Sequence, residues 1–170
     1  MAELPPLRRI VAGHNEQGIG CVTSDGAVAS ESLGLEGNSV KGRIWTTFDG
    51  LPTNDNNIDS EGFSKPIEKN FGLHPDVGTN LQYTEIEPGF VSPMHRTSSL
   101  DYNIWVEGEA ILIMEDGSET VINRPGDVVI MRGALHAWKN PSTTKWCRWV
   151  TVLASAKPVV LQGKELEPRM

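Results

Sequence analysis

Three side chains in the second half of the chain have the types needed for proton transfer: the imidazoles of His95 and His136 and the carboxyl group of Asp101. Histidine and acidic residues are the groups that most often act as general acids and bases in proteins. Alternate residues of a β-strand face the same side, so an inward-facing His95 carries Thr97 with it. By the same parity, Asp101, Asn103 and Trp105 share one face of a second strand, and His136 and Trp138 share one face of a third. We therefore expect one cavity that combines a few polar groups with apolar walls, as small-molecule sites do.

The two tryptophans of this expected cavity, Trp105 and Trp138, favour an aromatic or polyketide-like ligand. The same residue types also have ordinary structural uses, because tryptophan fills cores and a buried aspartate accepts hydrogen bonds from backbone amides. For Asp101 both the ligand or base role and the backbone-bonded role stay open. Thr97 is interpreted as a hydrogen-bonding residue of the cavity wall.

The elements that must position these residues have the pattern of an antiparallel β-fold. Short β-branched and aromatic segments alternate with Gly, Asp and Pro turns at nearly even spacing, which is typical of small barrels and jelly rolls. The turns leave little room for helix, so we predict an all-β domain. The expected strands of this region are 81–86, 101–106, 110–114, 119–122, 127–131, 135–138 and 146–154.

The N-terminal part is expected to extend this barrel. Two β-branched segments, 8–12 and 19–23, flank an Asn/Gly turn and predict a hairpin, and 43–48 has the pattern of a further strand. Residues 49–80 are irregular, and long loops inside a domain are usually functional or disordered, so a lid is one interpretation of this segment. The single domain then consists of an arm with added strands and a long loop (1–79), a barrel core (80–156) and a tail that packs on a neighbour or frays (157–170).

Composition narrows the class of protein. The 170 residues fit one domain, and the net charge of -7 disfavours nucleic acid and anionic membrane partners. Neither a bilayer-spanning apolar segment nor a signal peptide is recognisable, so a cytoplasmic location is expected. Cys21 and Cys147 lie far apart and are expected to be reduced, while His14 and His74 lie near turns and are expected to be exposed.

Two segments resemble the signature motifs of the cupin family. The first family pattern, G-x5-H-x-H-x3or4-E-x6-G, is matched in spacing by Gly89, His95, Thr97, Asp101 and Gly108. The second, G-x5-P-x-G-x2-H-x3-N, is echoed by residues 126–140, where His136 and Asn140 hold their places and the first half is one residue shorter. The two segments cover residues 88–140, about a third of the chain. The resemblance implies the cupin fold, an antiparallel β-barrel or jelly roll.

The family's metal ligands are only partly present here. In cupins two histidines and a glutamate of the first motif and the histidine of the second normally bind one divalent metal, and the corresponding residues here are His95, Thr97, Asp101 and His136. Thr97 is a poor ligand because its hydroxyl is neutral, and aspartate reaches about one methylene less far than glutamate. The resemblance thus implies a reduced metal set of His95, Asp101 and His136, which can hold iron, zinc, nickel or manganese with open positions, or a metal-free site.

Three functions stay open, because the cupin fold hosts many activities. The favoured one is a lyase, isomerase or cyclase that dehydrates, decarboxylates or tautomerises a carbonyl-containing, aromatic or polyketide-like metabolite of secondary metabolism. Its catalytic residues would be His95, Asp101 and His136, and its substrate-binding residues Thr97, Asn103, Trp105 and Trp138. The alternatives are an Fe(II)-dependent dioxygenase and a non-catalytic protein that binds a small ligand.

The expected partners are a small-molecule substrate and a second copy of the chain. Single-domain cupins often form dimers in which an N-terminal strand is exchanged, and the irregular first 80 residues are long for a bare barrel. We therefore predict a homodimer.

Overall fold

The computed structural model describes residues 4–57, 62 and 64–170, and this part of the chain is built almost entirely of antiparallel strands. Its helical residues form two 3-10 turns, Asp55–Asn57 and Asn70–Gly72. The predicted all-β fold with little helix is therefore confirmed. The 13 strands in the described residues are β1 Arg8–His14, β2 Gly20–Ala27, β3 Glu31–Ser32, β4 Val40–Thr47, β5 Thr79–Ile86, β6 Ser99–Glu107, β7 Ala110–Met114, β8 Glu119–Ile122, β9 Val128–Arg132, β10 His136–Lys139, β11 Cys147–Ser155, β12 Val160–Leu161 and β13 Lys164–Glu165.

Two antiparallel sheets enclose the interior. The larger has the strand order β3-β4-β5-β11-β6-β9, and the smaller has the order β10-β7-β8. From β6 to β11 the chain passes repeatedly between the sheets, so that strands adjacent in space are distant in sequence, as in a jelly roll. The turn from β6 to β7 requires Gly108, whose φ is 76° and whose Cβ, if present, would lie 2.4 Å from the carbonyl oxygen of Trp146.

The alternation of burial along β6 places its functional candidates inside. Ser99, Asp101, Asn103 and Trp105 are buried, whereas the residues between them are half-buried or exposed. The apolar core begins at the Trp105 end of this strand, and the polar side chains lie at its Ser99 end. The core consists of Ile86, Phe90, Trp105, Ala110, Leu112, Ile122, Met131, Trp138, Cys147 and Trp149.

The N-terminal segment extends the large sheet and also covers part of it. Strands β3 and β4 join the sheet beside β5, while β1 and β2 form the predicted hairpin. Arg148 on β11 forms a buried ion pair with Glu85 and donates a hydrogen bond to the carbonyl oxygen of Pro5 at 2.5 Å. This contact fastens the start of the arm to the outer face of β5 and β11.

The C-terminal tail was expected to pack on a neighbour or to fray, and instead of fraying it is paired with its own barrel. The tail forms the hairpin β12–β13 and then returns to its own barrel, where Arg169 pairs with Arg96. Two backbone hydrogen bonds of 2.7 and 2.8 Å join these residues. Backbone pairing therefore holds the tail beside the segment that carries His95.

Two smaller expectations are also corrected or limited. His74 is 4% exposed, and its Nδ1 lies 2.9 Å from the carbonyl oxygen of Pro75, so it is buried in a turn and not on the surface. Of the lid expected over residues 49–80, positions 58–61 and 63 lie outside the described residues.

Both cysteines are free, as expected. In the described residues no helix is long and apolar enough to cross a membrane.

Candidate active site

A cavity of about 460 Å³ lies between the two sheets. This volume is within the range of pockets that hold small organic molecules. Six of the seven residues predicted for the site line the cavity, namely His95, Thr97, Asp101, Asn103, His136 and Trp138. The strand parity derived from the sequence therefore brings one polar cluster together.

His95 and His136 lie side by side on one wall of the cavity. Their backbones exchange hydrogen bonds of 2.8 and 3.0 Å, and their ring centroids are 4.3 Å apart. The Nδ1 atom of His95 lies 2.9 Å from the carbonyl oxygen of Pro93, and that of His136 lies 2.9 Å from the carbonyl oxygen of Ala134. A carbonyl oxygen only accepts, so each Nδ1 carries the ring proton. In the neutral rings both Nε2 atoms are left as hydrogen-bond acceptors.

A serine hydroxyl holds the carboxyl group of Asp101. Ser99 Oγ lies 2.5 Å from Asp101 Oδ1 and 2.8 Å from Thr97 Oγ1, and all three residues are buried. Since Ser99 has a single hydroxyl proton, Thr97 donates to Ser99 when Ser99 donates to an ionised Asp101. The bond to Asp101 thus comes from a side chain of its own strand, and not from the backbone amides that the structural interpretation of this residue predicted.

Burial shifts all three titratable groups of the cavity toward their neutral forms. It raises the pKa of Asp101 to about 6 despite the Ser99 hydrogen bond. It lowers the pKa of His136 to about 4, and the neighbouring His95 ring adds to this effect. Burial also lowers the pKa of His95. At pH 7 the cavity therefore holds two neutral imidazoles and one carboxyl group that titrates close to neutral pH.

The three residues do not form a metal-holding group. Within the described residues, no three His, Cys, Asp or Glu side chains are close enough together to hold a metal ion. The two imidazoles are adjacent, but the Asp101 carboxyl group is hydrogen-bonded to Ser99 instead. The reduced ligand set of His95, Asp101 and His136 is thus not assembled in this structure. Whether the protein binds a metal remains a prediction.

Trp105 does not line the cavity, contrary to expectation. It is 1% exposed, its Nε1 donates to the carbonyl oxygen of Gly108 at 3.2 Å, and its ring stacks on Trp149 with centroids 4.9 Å apart. Trp149 on β11 lines the cavity instead, together with Trp138. The alternating pattern of residues 146–154 places Trp149 on an inward face, which was the sequence signal available for it.

A row of polar side chains on the large sheet completes the cavity, and the sequence analysis missed two of its members. Gln82, Thr151 and Asn103 lie at paired positions on three neighbouring strands and line the cavity. Thr151 Oγ1 donates to the side-chain Oδ1 of Asn103 at 2.8 Å. Asn80 Nδ2 donates to the backbone oxygen of Leu73 at 2.8 Å and to the side-chain Oε1 of Gln82 at 3.0 Å, so the amide nitrogen of Gln82 faces away from Asn80. The motifs cover only residues 88–140, and for this reason they did not indicate Gln82 or Thr151.

Comparison with known proteins identifies the family. No family model matches the chain. Cupin-domain-containing oxidoreductase virC of Hypocrea virens is 34% identical over 163 residues, which cover 92% of this chain and 81% of that protein. The chain belongs to the cupin-domain family. Phomopsin biosynthesis cluster protein C' of Diaporthe leptostromiformis is similar to this cupin at 30% identity over 167 residues, covering 96% of this chain and 88% of that protein.

Solved structures agree on the fold of this cupin. The polyketide cyclase RemF from Streptomyces resistomycificus matches with a TM-score of 0.52 at 15% identity, over 84% of this chain and 78% of that chain. An RmlC-like cupin from Shewanella frigidimarina matches with a TM-score of 0.50 at 13% identity, over 76% of this chain and 86% of that chain. The predicted cupin barrel is therefore confirmed.

Proposed function

We propose that this cupin is a small-molecule lyase, isomerase or cyclase in which Asp101 transfers a proton on a carbonyl-containing, aromatic or polyketide-like metabolite. The observation that carries the proposal is the buried Asp101 carboxyl group, which lines the cavity and has a pKa of about 6. A general acid or base works best when its pKa lies near the working pH. Asp101 meets this condition better than His136, whose pKa is about 4.

His95 and His136 act as hydrogen-bond acceptors in this scheme. Their Nδ1 atoms are engaged with backbone carbonyls, and their lowered pKa values keep the rings neutral. The two Nε2 atoms can then accept hydrogen bonds from hydroxyl groups of the substrate. Such a pair orients a hydroxylated ring in front of the carboxyl group of Asp101 and holds it there during the reaction.

The polar row of the large sheet supplies donors for the substrate's carbonyl oxygen. The Asp101 carboxylate removes a proton from the carbon next to the carbonyl group, and the electron pair of that C–H bond becomes an enolate. The amide N–H groups of Gln82 stabilise the negative oxygen, together with the one N–H of Asn103 that is not donated to the carbonyl oxygen of Val129 at 3.3 Å. Asp101 then returns the proton to a different carbon, which is isomerisation, or to a leaving hydroxyl group, which departs as water. Neither outcome changes the oxidation state of the substrate overall.

The relatives support a role in the biosynthesis of secondary metabolites. Phomopsin biosynthesis cluster proteins C' and D of Diaporthe leptostromiformis are each 30% identical to this chain. A cavity with Trp138 and Trp149 in its walls suits the flat, apolar surface of an aromatic or polyketide-like intermediate.

Proton exchange tests the proposal even when the final product has not been identified. The purified protein is incubated in D₂O with a panel of hydroxylated aromatic ketones that carry hydrogen on the carbon next to the carbonyl group, such as hydroxyacetophenones, and NMR follows exchange of these protons. Enzyme-dependent exchange that disappears in Asp101→Asn supports the proposal. Product formation that requires dioxygen and leaves these protons unexchanged contradicts it.

A second candidate is an Fe(II)-dependent dioxygenase, and the names of relatives favour it. Cupin-domain-containing oxidoreductases virC of Hypocrea virens and fogC of Aspergillus ruber share 34% and 30% identity with this chain. His95, Asp101 and His136 would be the ligands if Asp101 turned from Ser99 toward the imidazoles. Elemental analysis of wild type, His95→Ala and His136→Ala, together with oxygen uptake, tests this candidate. One iron per chain that is lost in both variants, with oxygen uptake matching product, would support it.

A further inference from the structure

The solvent end of the cavity is apolar. Three of the lining residues are both large and exposed: Leu35 at 40%, Phe71 at 48% and Met170 at 57%. We call these three residues the apolar mouth. They come from three distant parts of the chain, the loop between β3 and β4, the second 3-10 turn and the C-terminal tail. Exposed apolar side chains that converge on one opening are typical of a surface that contacts an apolar ligand.

The backbone holds Met170 at this position. Arg169 and Arg96 form an antiparallel bridge, so residue 170 lies across from His95 in the same register. The amide group of Arg169 donates to the carbonyl oxygen of Arg96 at 2.8 Å, and the amide of Arg96 donates back at 2.7 Å. The tail thus contributes one side of the mouth directly beside the imidazole pair.

The interior of the cavity, unlike its mouth, carries polar groups between apolar walls such as Trp138 and Trp149. Five buried polar residues line it, each at most 7% exposed: Gln82, Asp101, Asn103, His136 and Thr151. A few polar groups among apolar walls are what fixes the orientation of a small ligand, so these side chains can bind its hydroxyl and carbonyl oxygens. The polar groups of the cavity therefore lie in its interior, whereas its exposed opening is apolar.

We propose that the ligand is amphiphilic, with an oxygenated ring bound in the polar interior and an apolar chain that leaves the cavity through Leu35, Phe71 and Met170. This inference rests on the proposed function for the position of the ring, and it adds the chain as the second part of the substrate. Together, the ring and the chain define the expected substrate class, which is a hydroxylated aromatic carbonyl compound with an alkyl or alkenyl side chain of several carbons.

Calorimetric titration with a series of alkyl 4-hydroxybenzoates, from the methyl to the heptyl ester, tests the chain directly. Each methylene buried against the mouth should lower the Kd by up to about fourfold. In Phe71→Asn and Met170→Ser this decrease per methylene should fall to less than half of the wild-type value, while the Kd of the methyl ester stays within about twofold. Asparagine is chosen for position 71 because Phe71 has a φ of 58°, which asparagine tolerates.

Leu161→Ser provides the matched control, since Leu161 is 58% exposed on the same tail and does not line the cavity. Its chain-length dependence should equal that of the wild type. A Kd that is independent of chain length overturns the proposal, as does a chain-length dependence that is unchanged in both mouth variants or an absence of binding by every ester. Asp101→Asn separates the two proposals, because binding of the ester chain at the mouth does not require the Asp101 carboxyl group. If the wild type shows no proton exchange while the Kd still depends on chain length in both the wild type and Asp101→Asn, the proposed reaction is wrong and the proposed role of the mouth is supported.

Discussion

The rings of His95 and His136 lie 4.3 Å apart, and each uses its Nδ1 to bind the carbonyl oxygen two residues earlier in the chain. This repeated arrangement makes the two Nε2 atoms a matched pair of acceptors. Because the backbones of the two residues also exchange hydrogen bonds, the spacing of the pair is set by the fold and not by flexible side chains.

Replacing one imidazole should weaken substrate positioning without abolishing the reaction. We expect His95→Phe and His136→Phe each to lower kcat/KM by roughly 10- to 100-fold, the effect of losing one hydrogen bond of about 1–3 kcal/mol. The double variant should lose less than the product of the two single effects, since the pair acts as a unit. Steady-state kinetics with folded protein checks both statements. A loss above about 10⁴-fold in His136→Phe alone would instead identify His136 as the proton-transfer group.

Asp101 should dominate the pH dependence of activity. Its pKa of about 6 predicts that kcat/KM rises about tenfold per pH unit below pH 6 and levels off above it, if the carboxylate is the base. Asp101→Asn should lower kcat by about 10²- to 10⁴-fold, and Asp101→Glu should retain part of the activity with a shifted profile. A profile whose acid limb is centred near pH 4 would point to His136 and contradict this assignment.

The same two groups should affect stability in opposite directions. Asp101 has a pKa raised from 3.8 to about 6, so its contribution to the free energy of unfolding is present below pH 4 and is lost, by roughly 3 kcal/mol, as pH rises through 6. His136 has a pKa lowered from 6.5 to about 4, so its contribution is present above pH 6.5 and is lost as pH falls toward 4. The two effects nearly cancel in the wild type.

Single variants should reveal these hidden contributions. As pH falls from 6.5 to 4, urea unfolding should show Asp101→Asn losing more stability than the wild type and His136→Asn losing less. If the free energy of unfolding changes with pH in the same way in the two variants, Asp101 and His136 are not desolvated in solution as they are in this structure.

Trp105 and Trp138 should separate into a core residue and a ligand-binding residue. Trp105→Phe removes a buried ring edge and the bond to Gly108, and it should lower the free energy of unfolding by about 2 kcal/mol while leaving the Kd of butyl 4-hydroxybenzoate unchanged. Trp138→Phe should weaken binding of the same ester at least severalfold, because Trp138 lines the cavity. Equal effects of both substitutions on the Kd would contradict the placement of Trp105 in the core and outside the cavity wall.

We also propose that a second copy of the chain covers the outer face of β6 and β9. Tyr102 pairs with Ile130 and Ile104 pairs with Val128, and all four are at least 39% exposed, which makes a continuous apolar surface. Light scattering should give about twice the chain mass of 18.6 kDa. Ile104→Lys should give the monomer mass, and Val121→Lys, at a separate exposed position on β8, should not. A wild-type mass equal to that of one chain would contradict this proposal.

Much of the fold and part of the site could be predicted from local pattern. Strands β7 and β8 were predicted to the residue, and parity along β6 placed Asp101 and Asn103 inside, because side chains of a strand alternate whatever the strand packs against. Parity decides the face of a strand but not the depth of a residue. For this reason it grouped Trp105 with the cavity residues, although Trp105 is buried in the core, stacked on Trp149 of the neighbouring strand β11.

Motif spacing and alternation are properties of the local chain, and they were sufficient to place His95, Asp101 and His136 in one interior of an all-β cupin. The groups that surround these three residues depend on the tertiary fold. Contacts between distant segments brought Gln82 and Thr151 into the cavity and returned the tail to His95. The pKa of about 6 at Asp101 depends on such contacts as well, because desolvation is produced by all the neighbours that exclude water, and no short stretch of sequence specifies them.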